Sequence, residues 1–203
     1  MAYKPIQTRE EYLKIVEEYK DYKKDDYQSM SLEEKIDFFD GIHTDHVPMF
    51  DEEGNTLWTQ WDYGELTKEF IQQPEIFSLT DILKFIEMLD DTCYEPSFMD
   101  DTLKVIRSII RFHGKEGTTF FLNHLSDIPE RGKQYGLFLG LRYLIVDDTV
   151  FRNLRESIKT VDSSVQTLVL QIINGKVEGV PGLKQHSADE IELKRIKELE
   201  CFT

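Results

Sequence analysis

The sequence predicts a mainly α-helical protein, built as an irregular stack of antiparallel helical hairpins with one small β-hairpin near residues 47–61. Three observations predict this fold. Serine or threonine is followed three residues later by an acid at several places, which is typical of a helix N-terminus. Apolar residues then recur at helical spacing. The predicted helices are separated by connections of only a few residues, which favours antiparallel neighbours.

Two of these capping signatures lie in the N-terminal part of the chain. The pair Thr8 and Glu11 precedes an amphipathic helix, and the pair Ser31 and Glu34 precedes a second helix. In each pair the hydroxyl accepts from a free backbone N–H, while the acid reaches back to the capping residue. We expect Gly41 to end the second helix, because glycine is a common helix terminator.

Residues 47–61 carry the pattern of a β-hairpin. Gly54 and Asn55 form a turn signal between two runs of β-prone residues, and Pro48 suits an edge strand. Trp58 and Trp61 lie three residues apart, so strict alternation does not place both on one face of a strand. The tryptophans therefore fit equally well an interface with a partner or a contact that fastens the hairpin to the helices.

From residue 65 the pattern is helical again, and no strict sequence repeat accompanies it, which favours an irregular HEAT-like stack. Three glycines and Pro181 break the pattern between residues 175 and 185. The signature Ser78/Asp81 predicts a helix start within the stack, and Ser187/Glu190 predicts a final helix over 188–200. We predict a single domain over 1–203, composed of N-terminal helices plus the hairpin (1–64), the helical stack (65–174), and a loop with the C-terminal helix (175–203). The helices predicted in the stack are 65–73, 78–90, 97–112, 117–127, 131–146, 148–159 and 163–174.

The composition is that of a folded protein, because 40% of the 203 residues are hydrophobic. The longest apolar run, residues 135–146, contains Arg142 and is shorter than the roughly 20 residues that span a bilayer. We interpret it as a buried helix, in which Gly136 and Gly140 permit close approach to another helix. The N-terminus is charged and has no apolar leader, which predicts a cytoplasmic location. Cys93 and Cys201 are far apart, so neither a disulfide nor a zinc site is expected.

Charge is the most unusual bulk property of the chain. The net charge is −15, and up to Asp101 there are 26 acids against 9 basic residues, whereas 13 acids and 15 basic residues follow. Such a negative field repels nucleic-acid phosphates and anionic lipid, and it attracts basic partners. The sequence therefore predicts a basic protein partner, without direct nucleic-acid or membrane binding.

No catalytic motif is recognisable in the sequence. A phosphate-binding loop, GxGxxG, GxSxG and HExxH are all absent from it. The nearest pattern to a metal site is His43-x-x-His46 with Asp40 and Asp45, but this ligand set is incomplete. We therefore predict no catalytic residue, no metal and no cofactor.

The candidate partner-binding residues fall into two groups, between which the sequence does not decide. The first combines acids with aromatic side chains near the predicted hairpin, as expected of an interface with aromatic anchors and an acidic rim. The second consists of acids in the turns and helix ends of the stack, on its predicted concave face. The first group is Asp45, Asp51, Glu52, Glu53, Trp58, Trp61, Asp62 and Tyr63, and the second is Asp90, Asp91, Glu95, Asp100 and Asp101.

Two segments within residues 78–148 show an order of helix, acidic turn and helix: IEMLDDTCYEPSFMDDTLKVIRSIIRF and FFLNHLSDIPERGKQYGLFLGLRYLIVDD. In this order they resemble the all-helical immunity proteins of bacterial polymorphic toxin systems. The resemblance implies a small cytosolic protein that covers and neutralises a cognate toxin, often a nuclease with a basic cleft. Two alternatives remain: a helical-repeat scaffold or adaptor, and a metal-dependent enzyme using His43 and His46. The oligomeric state stays open.

Overall fold

The computed structural model describes residues 29–44, 60–92, 96–187 and 189–201. This part of the protein is mainly helical, as predicted, and it contains no β-strand. Short 3₁₀ segments over Pro74–Ile76, Leu125–Asp127 and Glu130–Gly132 join some of the helices. The α-helices are α1 (Leu32–Thr44), α2 (Gln60–Gln72), α3 (Asp81–Glu87), α4 (Pro96–Asn123), α5 (Gly140–Val146), α6 (Asp148–Ser157), α7 (Ser163–Ile173), α8 (Leu183–His186) and α9 (Glu190–Glu200).

The predicted capping pair Ser31/Glu34 is confirmed, whereas Ser78/Asp81 forms only the contact between the acid and the serine, and the N-cap of α3 is Thr80. The Ser31 N–H donates to Glu34 Oε2 over 2.7 Å, and the Glu34 N–H donates to Ser31 Oγ over 3.3 Å. Before α3, the N–H and the hydroxyl of Ser78 both donate to Asp81 Oδ2. At the end of the chain, α9 is capped by Asp189 rather than by the predicted Ser187, whose hydroxyl donates to carbonyls of α8 instead. The pair Thr8/Glu11 lies outside the described residues.

Gly114 divides α4 into two helical arms. Its φ of +61° and ψ of −128° are conformations that L side chains rarely adopt. The chain changes direction there, so α4 packs against α2 and α3 as well as against α6. The sequence prediction of two helices, 97–112 and 117–127, is confirmed in its break, although the second arm ends at Asn123.

The predicted β-hairpin over 47–61 is not confirmed. Residues 47–59 lie outside the described part, while Gln60 and Trp61 belong to the first turn of α2 and not to a strand. Leu66 and Phe70, four residues apart, are completely buried, which favours a helix in this part of the chain. Gln60 and Trp61 form the first turn of that helix. The prediction that Gly41 ends α1 is also wrong, because a helix accommodates glycine at a cost of about 1 kcal/mol.

A single hydrophobic core runs through the described helices. The segment before α5 forms a π-helical turn over Gln134–Leu139 and contributes buried residues to this core. Gly136 and Gly140 are buried. A Cβ added at Gly136 would lie 2.7 Å from Ile128 Cγ2, and one added at Gly140 would lie 3.2 Å from Phe121 Cζ. The predicted close approach to another helix is therefore confirmed for Gly140, which faces α4, whereas Gly136 packs against Ile128 and Leu89 in connecting segments.

The C-terminal helix α9 is fastened to α5 by charged side chains. Glu192 is only 3% exposed and accepts two hydrogen bonds from Arg142, of 2.8 and 3.3 Å. The Arg195 guanidinium donates to the carbonyls of Ile145 and Val146, which are the last residues of α5. A cation at this end of a helix also suits the helix dipole. α9 therefore belongs to the packed body of the protein.

None of the described helices combines the length and the apolar character that crossing a bilayer requires.

Candidate binding surface

Most of the candidate residues near the predicted hairpin lie outside the described part of the structure. The backbone of three of them runs along the first turn of α2, and their side chains are not described. Their role as partner-binding residues stays a prediction. The candidates outside the described residues are Asp45, Asp51, Glu52, Glu53, Trp58 and Glu95, and those in α2 are Trp61, Asp62 and Tyr63.

Asp90 and Asp91 stabilise the fold. Asp90 is 4% exposed, and its Oδ1 accepts from the N–H and the hydroxyl of Thr92. The Asp91 carboxylate accepts from the backbone N–H groups of Gln134 and Tyr135, over 2.8 and 2.9 Å. Asp91 therefore satisfies backbone N–H donors at the start of the helical segment that continues into α5, although Asp91 precedes Gln134 by 43 residues in the chain. The acidic turn is thus an N-cap supplied from a distant segment, and its carboxylates are already engaged.

Asp100 and Asp101 lie on the first arm of α4 and share one cation. Lys104 Nζ is 2.8 Å from Asp100 Oδ2 and 2.8 Å from Asp101 Oδ1. The hydroxyl of Tyr143, on α5, donates to Asp100 Oδ1. Burial opposes ionisation of Asp100, but the hydrogen bonds from Lys104 and Tyr143 outweigh it and hold its pKa below the usual value. Both acids are therefore paired within the protein.

A shallow apolar recess adjoins this cluster. The guanidinium of Arg107 lies over the ring of Tyr143, 5.2 Å from its centroid, at the edge of the recess. The floor is set by Gly140, because a side chain there would meet Phe121. The remaining wall is formed by Leu103, Ile106, Ile110 and Leu144. The space admits about one water molecule, so it is a packing feature between α4 and α5 and not a ligand pocket.

The Tyr143–Asp100 contact gives a pH-dependent prediction. Burial and the hydrogen bond to Asp100 raise the pKa of Tyr143 from 10.0 to about 12. Its protonated form is therefore favoured by folding, and this stabilisation is lost as pH rises from 10 towards 12. We expect the free energy of unfolding in urea to fall more steeply across this range in the native protein than in Tyr143→Phe. Equal slopes for the two proteins would contradict the assignment.

The acidic charge is concentrated on α1, α2 and α3. Residues 29–44 and 60–92 contain twelve acids and three lysines, whereas residues 96–187 and 189–201 contain fifteen acids and fifteen basic residues. The asymmetry predicted from the sequence therefore persists among the described residues. We call the exposed surface of these three helices, with the 3₁₀ turn between α2 and α3, the acidic face.

Two of the three lysines of the acidic face are close to carboxylates. Lys35 Nζ lies 2.5 Å from Glu69, and Lys84 Nζ lies 3.6 Å from Asp81 and 3.9 Å from Glu33. Lys68 also has a partner. Exposed acids lie on three of the four segments of the face: Glu33 and Asp37 on α1, Glu75 on the 3₁₀ turn, and Glu87 on α3. The surplus negative charge is therefore directed to solvent.

Sequence analysis missed two exposed apolar side chains beside this face, Ile76 and Phe112, which are 37% and 53% exposed. His113 Nε2 lies 3.0 Å from the carbonyl oxygen of Phe77, so Phe112 and Ile76 each directly precede a residue of one contact, which we call the junction. A helical projection of α4 would not have revealed Phe112, because Phe112 lies on the same side of the helix as the buried Val105 and Ile109, seven and three residues before it.

Potential metal ligands do not cluster in the described part. No three histidine, cysteine, aspartate or glutamate side chains converge there as a metal site requires. The side chains of His43 and His46 are not among those described. Comparison with protein-family models, curated proteins and solved structures found no match to the chain. The acidic face is the candidate functional feature of the described part.

Proposed function

We propose that this protein is an immunity or antitoxin-like protein that binds a cognate basic toxin domain and neutralises it stoichiometrically. The observation that supports this role is the separation of charge, with twelve acids and three lysines in residues 29–44 and 60–92 and balanced charge elsewhere in the described part. A surface of one sign selects an oppositely charged partner and accelerates its association. The resemblance of residues 78–148 to immunity proteins points to the same class of partner.

A binding role requires neither a catalytic residue nor a cofactor, and the described histidines are consistent with this. His113 contacts a backbone carbonyl, His124 Nδ1 lies 2.5 Å from Asp127 Oδ2, and His186 contacts the carbonyl of Gly182. Each has a partner within its own helix or the adjacent structure. We propose that the protein acts in the cytoplasm, where a toxin would meet its target.

Charge reversal tests the acidic face. Asp37, Glu75 and Glu87 are exposed, and all three are changed to Lys. At low salt we expect association with the native partner to slow by about tenfold, and the salt dependence of the rate to decrease, because electrostatic steering falls with ionic strength. The partner is isolated from the native cell with the wild-type protein, and rates are measured by surface plasmon resonance.

The matched control makes the same change in net charge on the neutral part of the protein. It changes Glu156, Glu178 and Glu190 to Lys, all of which are exposed. We expect this variant to associate at a rate within about twofold of the native value, because the effect depends on position and not only on net charge. Equal slowing by both triple variants, or a partner that is acidic, would refute the acidic face as the binding surface.

The second candidate is a helical-repeat scaffold or adaptor. The succession of short helices joined by short connections supports it, and a HEAT-like stack of antiparallel hairpins would present a concave face. Gene neighbourhood separates the two candidates, because an immunity gene normally follows its toxin gene. A metal-dependent enzyme using His43 and His46 is the third and weaker candidate. Stoichiometric metal that survives dialysis and is lost on changing both histidines to Ala would favour it.

A further inference from the structure

We propose that Ile76 and Phe112 form the apolar anchor at which the basic partner docks an aliphatic or aromatic side chain, with the acidic face beside it holding the partner's cations. This inference rests on the proposed function and adds the chemistry of the contact. The partner segment it requires is basic and presents an apolar side chain between its Lys or Arg residues.

The junction that carries the two side chains is rigid. Phe77, which follows Ile76, is 2% exposed and has its ring centroid 5.1 Å from that of Phe70 and 5.6 Å from that of Phe85. His113, which follows Phe112, contacts the Phe77 carbonyl and has its ring centroid 5.1 Å from that of Phe112. A rigid aromatic side chain loses little conformational entropy on binding, which is typical of an interface anchor.

The position of the pair distinguishes it from the other exposed apolar side chains of the described part. Val146, Ile191 and Leu193 are 43%, 63% and 37% exposed, and they lie on α5 and α9 in the charge-balanced part. Ile76 directly follows the exposed acid Glu75 and lies between α2 and α3. The pair is thus the apolar feature that adjoins the acidic face.

The charges around Phe112 also favour a basic partner. Its neighbours in sequence include Arg111 and Lys115, but these cations face acids at α6: Arg111 Nη1 is 3.8 Å from Asp147, and Lys115 Nζ is 3.8 Å from Glu156. Both cations are therefore partly neutralised. On the other side of the junction the acids exceed the lysines, so charge complementarity selects cations there.

Two fluorescein-labelled peptides test the anchor. The first is a cationic amphipathic peptide of lysine and leucine, and its twin has serine in place of every leucine. By fluorescence anisotropy at low salt, we expect the native protein to bind the leucine peptide at least about fivefold more tightly than the serine twin, because an anchor contributes more than about 1 kcal/mol. Phe112→Ser, and separately Ile76→Ser, should remove this difference without changing affinity for the twin.

Ile191→Ser is the matched control, because Ile191 is more exposed than Phe112 but lies on α9. We expect it to preserve the preference for leucine. If Ile191→Ser removes the preference as well, or if Phe112→Ser retains it, the anchor is refuted. If both peptides bind equally well, and the triple reversal of Asp37, Glu75 and Glu87 abolishes their binding, the anchor is refuted but the acidic face as a binding surface is not. Failure of the native protein to bind either peptide would refute the electrostatic basis of the proposed function as well.

Discussion

Gly132→Ala is expected to destabilise the protein by more than about 3 kcal/mol, the largest effect we predict for a single methyl group. A Cβ at this position would lie 2.3 Å from the carbonyl oxygen of Leu89 and 2.6 Å from its Cβ. The first of these atoms belongs to the backbone, so no side-chain rotation relieves the overlap. The segment must move away from Leu89, which also strains the hydrogen bond from the Asp91 N–H to the Arg131 carbonyl.

The same substitution at Gly64 is the control for Gly132→Ala. Gly64 lies within α2, and a Cβ there would meet nothing within 4 Å. Alanine favours the helix, so Gly64→Ala should stabilise the protein by about 0.5–1 kcal/mol. Urea unfolding followed by circular dichroism measures both variants. A Gly132→Ala protein within about 0.5 kcal/mol of the native one would show that the turn at Leu89 is more adaptable than its packing indicates.

Glu192→Ala is expected to cost about 2–4 kcal/mol and to release α9. Its carboxylate is buried, whereas Arg142 is 28% exposed, so the unpaired guanidinium recovers only part of its hydration. Loss of the pair also weakens the nearby contacts of Arg195 with the end of α5, because both arginine contacts hold the same helix. Urea unfolding measures the free energy. Limited trypsin digestion measures release of α9, through cleavage after Lys194 and Lys197.

Two further variants interpret the Glu192→Ala result. Glu190→Ala removes an exposed acid from the same helix and should change stability by less than about 0.5 kcal/mol. The double change Arg142→Met with Glu192→Leu replaces the ion pair by apolar groups, which is often neutral or stabilising. If Glu192→Ala behaves like Glu190→Ala, the ion pair does not hold α9 in place.

Local signals in the sequence predicted most of the helices. Ser31 with Glu34 and Ser78 with Asp81 form hydrogen bonds within four residues, and the break at Gly114 follows from a glycine between two apolar runs. The start of α2 was missed, because Trp58 and Trp61 suggested a strand while burial of Leu66 and Phe70 favours a helix. Burial depends on tertiary packing, which local spacing does not contain.

The candidate site was less predictable, because its residues meet across long separations in sequence. Asp91 was assigned to a partner surface, yet its carboxylate binds the N–H groups of Gln134 and Tyr135. Asp100 likewise has Tyr143 as a partner, 43 residues away. The excess of acids in the first half of the chain was evident from the sequence. The junction of Ile76 with Phe112 depends on the contact between His113 and Phe77, which no local pattern indicates.

The segregation of acids on α1–α3 displaces the centre of charge from the centre of mass of the described part, and gives it an electric dipole moment. The field of an approaching cationic molecule exerts a torque on such a dipole. Rotation brings α1–α3 to the front before the surfaces touch, so a larger fraction of collisions begins in a productive orientation. The charge-balanced helices α5–α9 contribute to this by carrying little net charge, because an equally acidic opposite side would cancel the torque.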